Sequence, residues 1–285
     1  MSMPLVSIIC ITYNHAFNIG KCINGFLMQK TDFPFEILIH DDASTDNTAD
    51  IIREYEQKYP NIIKPIYQKK NQFSAGISII NTYIIPKVKG KYITWCEGDD
   101  YWTDESFLQD GISFLENNSL YNCYVTDSIH KGTDFEISGI DAQKKELTQV
   151  GHDISFDNYV YFHTSARIYR NIPDKINIFK RPYIGEIFWL FVFLDIGKVY
   201  FDHKITSVYN ITGTGIYSKL SIKEKEEDVF KVCVLSTKLL NNKYYCFFWN
   251  ILPKQKYHYK LKKIFGIKYT MCLLKLLNYN KYKRK

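Results

Sequence analysis

Along the first half of the chain, short unbroken apolar runs alternate with polar segments of helical period. Leu5 to Thr12 (LVSIICIT) is a β-branched run of the kind a strand buried on both faces requires, and Phe35 to His40 (FEILIH) is a second. Between them, Asn18 is placed to cap a helix reaching about Gln29. After Asp41-Asp42, Thr45 or Asp46 is a fitting N-cap for the periodic run Ala49, Ile52, Tyr55 and Glu56. A strand near Ile62 to Tyr67, a helix near Gly76 to Val88 and a strand at Lys91 to Cys96 (KYITWC) complete a βαβαβαβ order. A doubly wound, mostly parallel α/β sheet is the expected result. A helix over Asp104 to Asn117 and a strand over Tyr121 to Thr126 follow. Residues 128 to 158 are polar with weak periodicity and read as a long functional loop or insertion. Beyond it, Thr164 to Arg170 (TSARIYR) reads as a strand, Gly185 to Asp195 as a buried helix and Lys198 to Phe201 as a short strand. From Ser218 onward the pattern is helical.

Composition narrows the class. The 285 residues are 46% hydrophobic and 24% charged, which excludes a disordered chain or a disulfide scaffold. The longest apolar run, Ile187 to Leu194, has eight residues, and a membrane-spanning helix needs about 20. The start, MSMPLVSIICITYN, has no basic region ahead of its apolar stretch, so a cytoplasmic protein is expected. The seven cysteines are odd in number and widely spaced, as reduced structural thiols would be. The net charge of +7 is unevenly spread: residues 251 to 285 hold eleven Lys and Arg and no Asp or Glu, which leaves −4 for the first 250. That tail interleaves Lys with Ile, Phe, Leu and Tyr, which suits a helix resting on an anionic membrane surface at the inner face of the plasma membrane. A packed helix with a solvated basic end is the alternative; nucleic acid is not the expected partner.

In open α/β sheets, ligands bind outside the carboxyl ends of the strands. Two acidic pairs fall there. Asp41-Asp42 follows the second strand and Asp99-Asp100 follows the fourth, with Glu97 two positions earlier. Clustered carboxylates need a cation to offset their repulsion, and a divalent metal bridging a diphosphate supplies one. No GxxxxGK[ST] loop, no GxGxxG after the first strand and no HExxH occurs, which disfavours a P-loop hydrolase, a dinucleotide oxidoreductase and a zinc protease.

The strings SIICITYNHAFNIGKCINGFLMQ, EILIHDDASTDNT and KGKYITWCEGDDYWTD, in that order, resemble the family 2 inverting glycosyltransferases of bacterial surface-polysaccharide type, which have the GT-A fold. A weaker likeness runs from TSARIYR through GEIFWLFVFLDIGKVYFDHKITSVYNITGTGIYS. The resemblance implies that Thr12 and Tyr13 border a nucleotide base, with Tyr13 stacking on it. It implies that Asp42 accepts from uracil or ribose, and that Asp99 and Asp100 form the metal element, Asp99 also facing ribose. Mn²⁺ or Mg²⁺ is then the cofactor. Glu97 fills a slot where Asp is commoner. Glu186 is the implied base for the acceptor hydroxyl, its apolar surroundings raising its pKa toward working pH. Trp102, His163 and Tyr209 are the acceptor-side candidates, with Trp102 and Trp189 placed to stack on a sugar. Where many members carry Arg, this chain has Asn210, so Lys204, Lys69 or Lys70 is needed to meet phosphate.

The expectation is therefore a GT-A domain over residues 1 to 215 with a helical basic extension over 216 to 285. It would transfer a sugar from a nucleotide diphosphate, with UDP preferred, to a hydroxyl of a saccharide or lipid-linked saccharide. A non-catalytic nucleotide-sugar-binding module and a nucleotidyltransferase on a related sheet are the competing readings. The latter usually shows a Gly-rich loop with Arg after the first strand, and TYNHAFNIG has neither.

Overall fold

A computed structural model describes residues 3–139, 152–154, 162–172 and 192–211, together with residues 221 and 224. The expected alternation is present in β1 (Val6–Thr12), α1 (Ile19–Leu27), β2 (Phe35–Asp41), α2 (Thr48–Lys58), β3 (Ile63–Tyr67) and β4 (Tyr92–Trp95). After these come β5 (Tyr101–Trp102), α3 (Phe107–Asn117), β6 (Tyr121–Lys131), β7 (Glu136–Ser138), β8 (His152–Ile154), β9 (Arg167–Arg170) and β10 (Lys198–Asn210). All ten strands join one sheet in the order β3-β2-β1-β4-β9-β6-β10-β5, with β7 beside β6 and β8 beside β10. Strands β1 to β4 run parallel, as do β6 and β10; β9 lies antiparallel between β4 and β6. This is the mixed, mostly parallel sheet of the GT-A fold.

The period-2 alternation of each strand distributes its side chains between two cores. Val6, Ile8 and Cys10 of β1, with Ile37 and Ile39 of β2, pack under Ile19, Cys22 and Phe26 of α1, Ile52 of α2 and Phe107, Leu108 and Ile112 of α3. Ile9, Leu38 and Ile93 face the opposite side, against Ile79, Ile84, Phe162, Val192 and Phe193. With α1, α2 and α3 on one face and the turns of 80–87 together with the helical residues 192–196 on the other, β1 and β2 are buried on both sides, which is why they read as continuous apolar runs. Each such isoleucine contributes about 1.5–3 kcal/mol of burial.

Five expected elements differ, the first being the strand expected over 164–170, which is a 3₁₀ turn (Thr164–Ala166) leading into the shorter β9 (Arg167–Arg170). The expected helix over 76–88 is a π-turn (Ile80–Ile84) running into a 3₁₀ turn (Ile85–Lys87), because Pro86 has no N–H to continue an α-helix. Helix α3 begins at Phe107 rather than Asp104, because the Asp104 carboxylate accepts from Ser106 N at 2.7 Å and closes a turn ahead of the helix. Strand β6 continues to Lys131 and hairpins with β7, so the expected loop loses its first residues. Its polar residues disguised it: Asp127 accepts from the Ser138 hydroxyl and from Ser128 N. Strand β10 is 13 residues long rather than four. Of the expected helix over 185–195, the described part is helical from residue 192 to 196.

The order of the parallel strands locates the site. β1, β2 and β3 step outward, and β4 returns to the other side of β1. The reversal opens a crevice at the carboxyl ends of β1 and β4, the usual ligand position in such sheets.

Candidate functional site

The segment after β1 is braced by the segment after β2. Asn14 sits in the left-handed region at φ 56, where Asn is tolerated best after Gly. Its N–H donates to Ser44 Oγ at 2.9 Å, and its Oδ1 accepts from Thr45 N at 2.7 Å. His15 N donates to Thr48 Oγ1 at 2.8 Å and Ala16 N to Asp46 Oδ2 at 3.1 Å. The TYNHA and DDASTDNT strings are thus two halves of one rigid structure. Tyr13 stands out from it with 43% of its surface exposed, so a ring face is open to a ligand. Asp42 N donates to Thr12 O at 3.0 Å. The buried Asp42 carboxylate receives Gln72 N at 2.8 Å on one oxygen and Phe73 N at 3.0 Å on the other. Asp42 therefore anchors the loop after β3, and each oxygen keeps a second lone pair for a ligand donor.

Glu97 to Asp100 form the turn that leaves β4, closed by Asp100 N donating to Glu97 O at 3.0 Å. Gly98 has to be glycine here. A Cβ on it would lie 2.6 Å from Thr12 Oγ1 and 3.0 Å from His15 Nδ1, so the ends of β1 and β4 touch. Asn210, the last residue of β10, secures the pair that follows: its N–H donates to Asp100 Oδ1 at 2.8 Å and its Nδ2 to Asp99 O at 2.6 Å.

The Glu97 and Asp100 carboxylates meet His163, their ligand atoms all within 4.8 Å of one another. It is the one group of three or more such side chains among the described residues. Asp100 Oδ2 lies 3.7 Å from His163 Nε2, both residues being buried. Glu97 Oε2 accepts from Thr164 Oγ1 at 2.7 Å. Burial pushes the Glu97 carboxyl up, as does the Asp99 charge, while the Thr164 hydroxyl and the Arg167 guanidinium pull it down. Burial holds His163 well below its ordinary value, with Arg167 and His130 acting in the same sense. The imidazole is then neutral at pH 7, the form that binds metal. Its Nδ1 lies 2.8 Å from Ser165 Oγ, which donates to Ser207 Oγ at 2.9 Å, and its ring stacks on Tyr209 with centroids 4.2 Å apart. Two carboxylates and a neutral imidazole, held by their own hydrogen bonds, are a donor set that fits a divalent ion of the Mn²⁺ or Mg²⁺ kind.

Thr12, Tyr13, Asp42, Asp99 and Asp100 thus gather at one sheet edge. His163 and Tyr209, expected on the acceptor side, lie beside Asp100. Asp99, expected among the metal ligands, is outside the triad, with its Oδ2 3.7 Å from His15 Nε2. Trp102, expected to stack on a sugar, is 2% exposed; its Nε1 donates to Ser165 O at 2.8 Å and its ring packs edge-on against Phe26 and Phe107. Its faces are taken by the core, so it offers no sugar platform. Lys204 is held by Asp110 of α3. Lys69 and Lys70 are exposed beyond β3. Glu186, Trp189 and residues 212–220 and 251–285 lie outside the described residues. Sequence reasoning missed Thr164, Asn210 and His15. The spacing Glu97-x-x-Asp100 signalled half of the triad, but nothing local announces that a histidine so distant along the chain completes it.

Residues 7–180 match the family described as glycosyl transferase family 2. An uncharacterized protein of Mycobacterium tuberculosis, Rv1520, is 39% identical over 113 residues, covering 40% of this chain and 32% of its own length. The UDP-Glc:alpha-D-GlcNAc-diphosphoundecaprenol beta-1,3-glucosyltransferase WfaP of Escherichia coli is 32% identical over 145 residues, 51% of this chain and 54% of its own. The chain thus spans about a third to a half of the length of these relatives. Among solved structures, S. aureus TarS 1-349 in complex with UDP-GlcNAc superposes with a TM-score of 0.65 at 18% identity, over 90% of this chain and 76% of that one. That likeness supports the fold. With the family match extending over more than half of its residues, the chain belongs to glycosyl transferase family 2.

Proposed function

We propose that the chain is a metal-dependent inverting glycosyltransferase that moves a sugar from a nucleoside diphosphate, UDP in the first instance, to a saccharide hydroxyl in the assembly of a surface polysaccharide. The observation that carries this reading is the triad of Glu97, Asp100 and His163 at the strand-order reversal, beside Thr12, Tyr13 and Asp42. A base stacked on Tyr13 and hydrogen-bonded by Asp42 leaves its diphosphate directed at the triad. Glu97, Asp100 and His163 would hold a divalent cation, which would supply Lewis-acid stabilisation of the charge on the departing diphosphate. The chain's own residues do the rest. Asn210 fixes Asp99 and Asp100, Thr164 orients Glu97, and the Ser165 hydroxyl turns His163 Nε2 toward Asp100. Glu186 is assigned, from the resemblance alone, to take the proton of the attacking acceptor hydroxyl. The relative WfaP, whose name specifies a diphosphoundecaprenol-linked acceptor, supports a lipid-linked acceptor here. The TarS complex with UDP-GlcNAc and the Pyrobaculum calidifontis mannosyltransferase PcManGT, solved with GDP-Man and Mn²⁺, support a nucleotide-sugar donor and a metal. The basic residues of 251–285 are proposed to hold the enzyme at the inner membrane face, with the GT-A domain ending near residue 215.

The test is a transfer assay with a panel of UDP-sugars and undecaprenol-linked acceptors, with and without EDTA. Metal-dependent UDP release coupled to acceptor glycosylation supports the reading. If Glu186→Gln transferred as well as wild type, the assignment of the base would fall.

A further inference from the structure

Arg167 is the one buried Lys or Arg among the described residues, with 4% of its surface exposed. It opens β9 opposite Val125 of β6, and its guanidinium donates to Phe162 O. That bond spans the turn Thr164–Ala166 and closes the segment that carries two parts of the site: His163, and Thr164, whose hydroxyl donates to Glu97. A neutral side chain with an N–H would close the turn as well, so the bond alone gives no reason for a charge here. Burying a guanidinium is costly unless negative charge close by offsets it. Burial pulls the Arg167 pKa down to about 10, with the Glu97 carboxylate opposing that pull, so the side chain is charged at pH 7.

The compensating charge is that of the triad. Burial is the largest influence on Glu97 and on His163, and the Arg167 charge is felt at both, opposing burial at Glu97 and reinforcing it at His163. Other cations are placed differently: Lys204 is held by Asp110, and Lys69 and Lys70 are exposed beyond β3. The carboxylates of Glu97 and Asp100 repel each other whenever no cation lies between them. We propose that Arg167 is the built-in counter-charge of this triad: it offsets the Glu97 and Asp100 carboxylates while no ion is bound, and it weakens their hold on a bare divalent ion. The proposal rests on the metal-linked donor reading above. A fixed positive charge repels an incoming cation from the same carboxylates that it stabilises. The turn then keeps its shape when empty, and an ion owes more of its hold to the diphosphate oxygens that arrive with the donor. Acting through Glu97 and Asp100, Arg167 is a positioning residue.

Titration of Mn²⁺ into the full chain, with free Mn²⁺ read by electron paramagnetic resonance, tests this without nucleotide and with saturating UDP. Arg167→Gln removes the charge and keeps an N–H donor; Arg167→Lys keeps the charge. Arg167→Gln is expected to bind Mn²⁺ about tenfold more tightly than wild type in both conditions, and Arg167→Lys to stay within about threefold of wild type. The metal-free Arg167→Gln chain is expected to melt below wild type and to recover most of the difference in saturating Mn²⁺, because the ion replaces the missing charge. Arg167→Met, which keeps length and apolar packing, carries the same expectations if the glutamine chain fails to fold. A gain in Mn²⁺ affinity is a result that damage to the turn cannot produce. Mn²⁺ affinity that is unchanged or weaker in Arg167→Gln and Arg167→Met overturns the proposal and leaves the guanidinium as a clasp on Phe162 O. Failure of wild type to take up Mn²⁺ with or without UDP contradicts the metal-linked donor reading itself and takes this proposal with it, a result distinguishable from the first.

Discussion

Asn210 stands where many chains of this resemblance carry an arginine, and its work is mechanical: one amide and one main-chain N–H hold the Asp99-Asp100 turn. Asn210→Ala removes the side-chain bond to Asp99 O and keeps the main-chain bond to Asp100. Metal-linked UDP affinity is expected to fall by about tenfold, the worth of one hydrogen bond in a site of this kind, with little change in melting temperature. Trp102 behaves oppositely. Trp102→Phe loses the bond to Ser165 O and some packing, so urea unfolding should show a loss of about 1–3 kcal/mol while UDP affinity stays as in wild type. A stable variant with impaired acceptor use would return Trp102 to the site. His40 is fully buried, with its Nε2 3.1 Å from Gln68 Nε2 and its ring 5.6 Å from that of Tyr83. Burial lowers its pKa, against the opposing pull of Asp42 and Asp41. The unfolded chain therefore binds a proton near the ordinary imidazole value of about 6.5 that the folded chain refuses. Stability is fully present above that pH and is lost as pH falls through it, by at most about 1.4 kcal/mol per pH unit for this group. Urea unfolding at pH 7.5 and 5.5 should show that loss, and His40→Gln should reduce it.

Among the elements, β1, β2 and β4 were legible because both faces of each are buried and their apolar runs are unbroken. α1 and α2 were legible from their period; Asn18 stands at the start of α1 without a side-chain cap bond, and Asn47 rather than Thr45 or Asp46 is the N-cap of α2. The helix over 76–88 was not, because its apolar spacing is helical and only Pro86 marks the interruption. β6 and β10 were under-read because their outer halves carry Asp127, Ser128, Thr206 and Ser207, polar residues hydrogen-bonded in the structure and indistinguishable in sequence from loop residues. The site divides the same way. The acidic pairs announce themselves at strand ends, whereas Thr164, His163 and Asn210 reach Glu97, Asp99 and Asp100 only through β9 and β10, which fold back beside β4 and β6. Asp42 couples two elements, since both its oxygens hold the amides of Gln72 and Phe73. Asp42→Ala is expected to speed hydrogen exchange at those two amides selectively and to weaken UDP binding. Unchanged exchange there would separate the loop from the carboxylate.

On the scale of the whole molecule, charge is segregated along the chain: residues 251–285 carry +11 and the first 250 residues −4. A body of that sign is repelled by anionic lipid, so the tail's eleven cationic residues would have to supply the attraction. Deleting residues 251–285 is expected to abolish sedimentation with vesicles containing phosphatidylglycerol at low salt and to leave UDP binding intact. Equal sedimentation of both chains would remove the tail from the membrane account. The central claim, that the acidic edge of the sheet is a metal-linked donor site, is tested most directly by calorimetric titration of UDP with and without Mn²⁺ into wild type and Asp100→Ala. The account predicts binding by wild type that requires Mn²⁺ and is lost in Asp100→Ala. Binding of UDP that is indifferent to Mn²⁺ and to the substitution would contradict it.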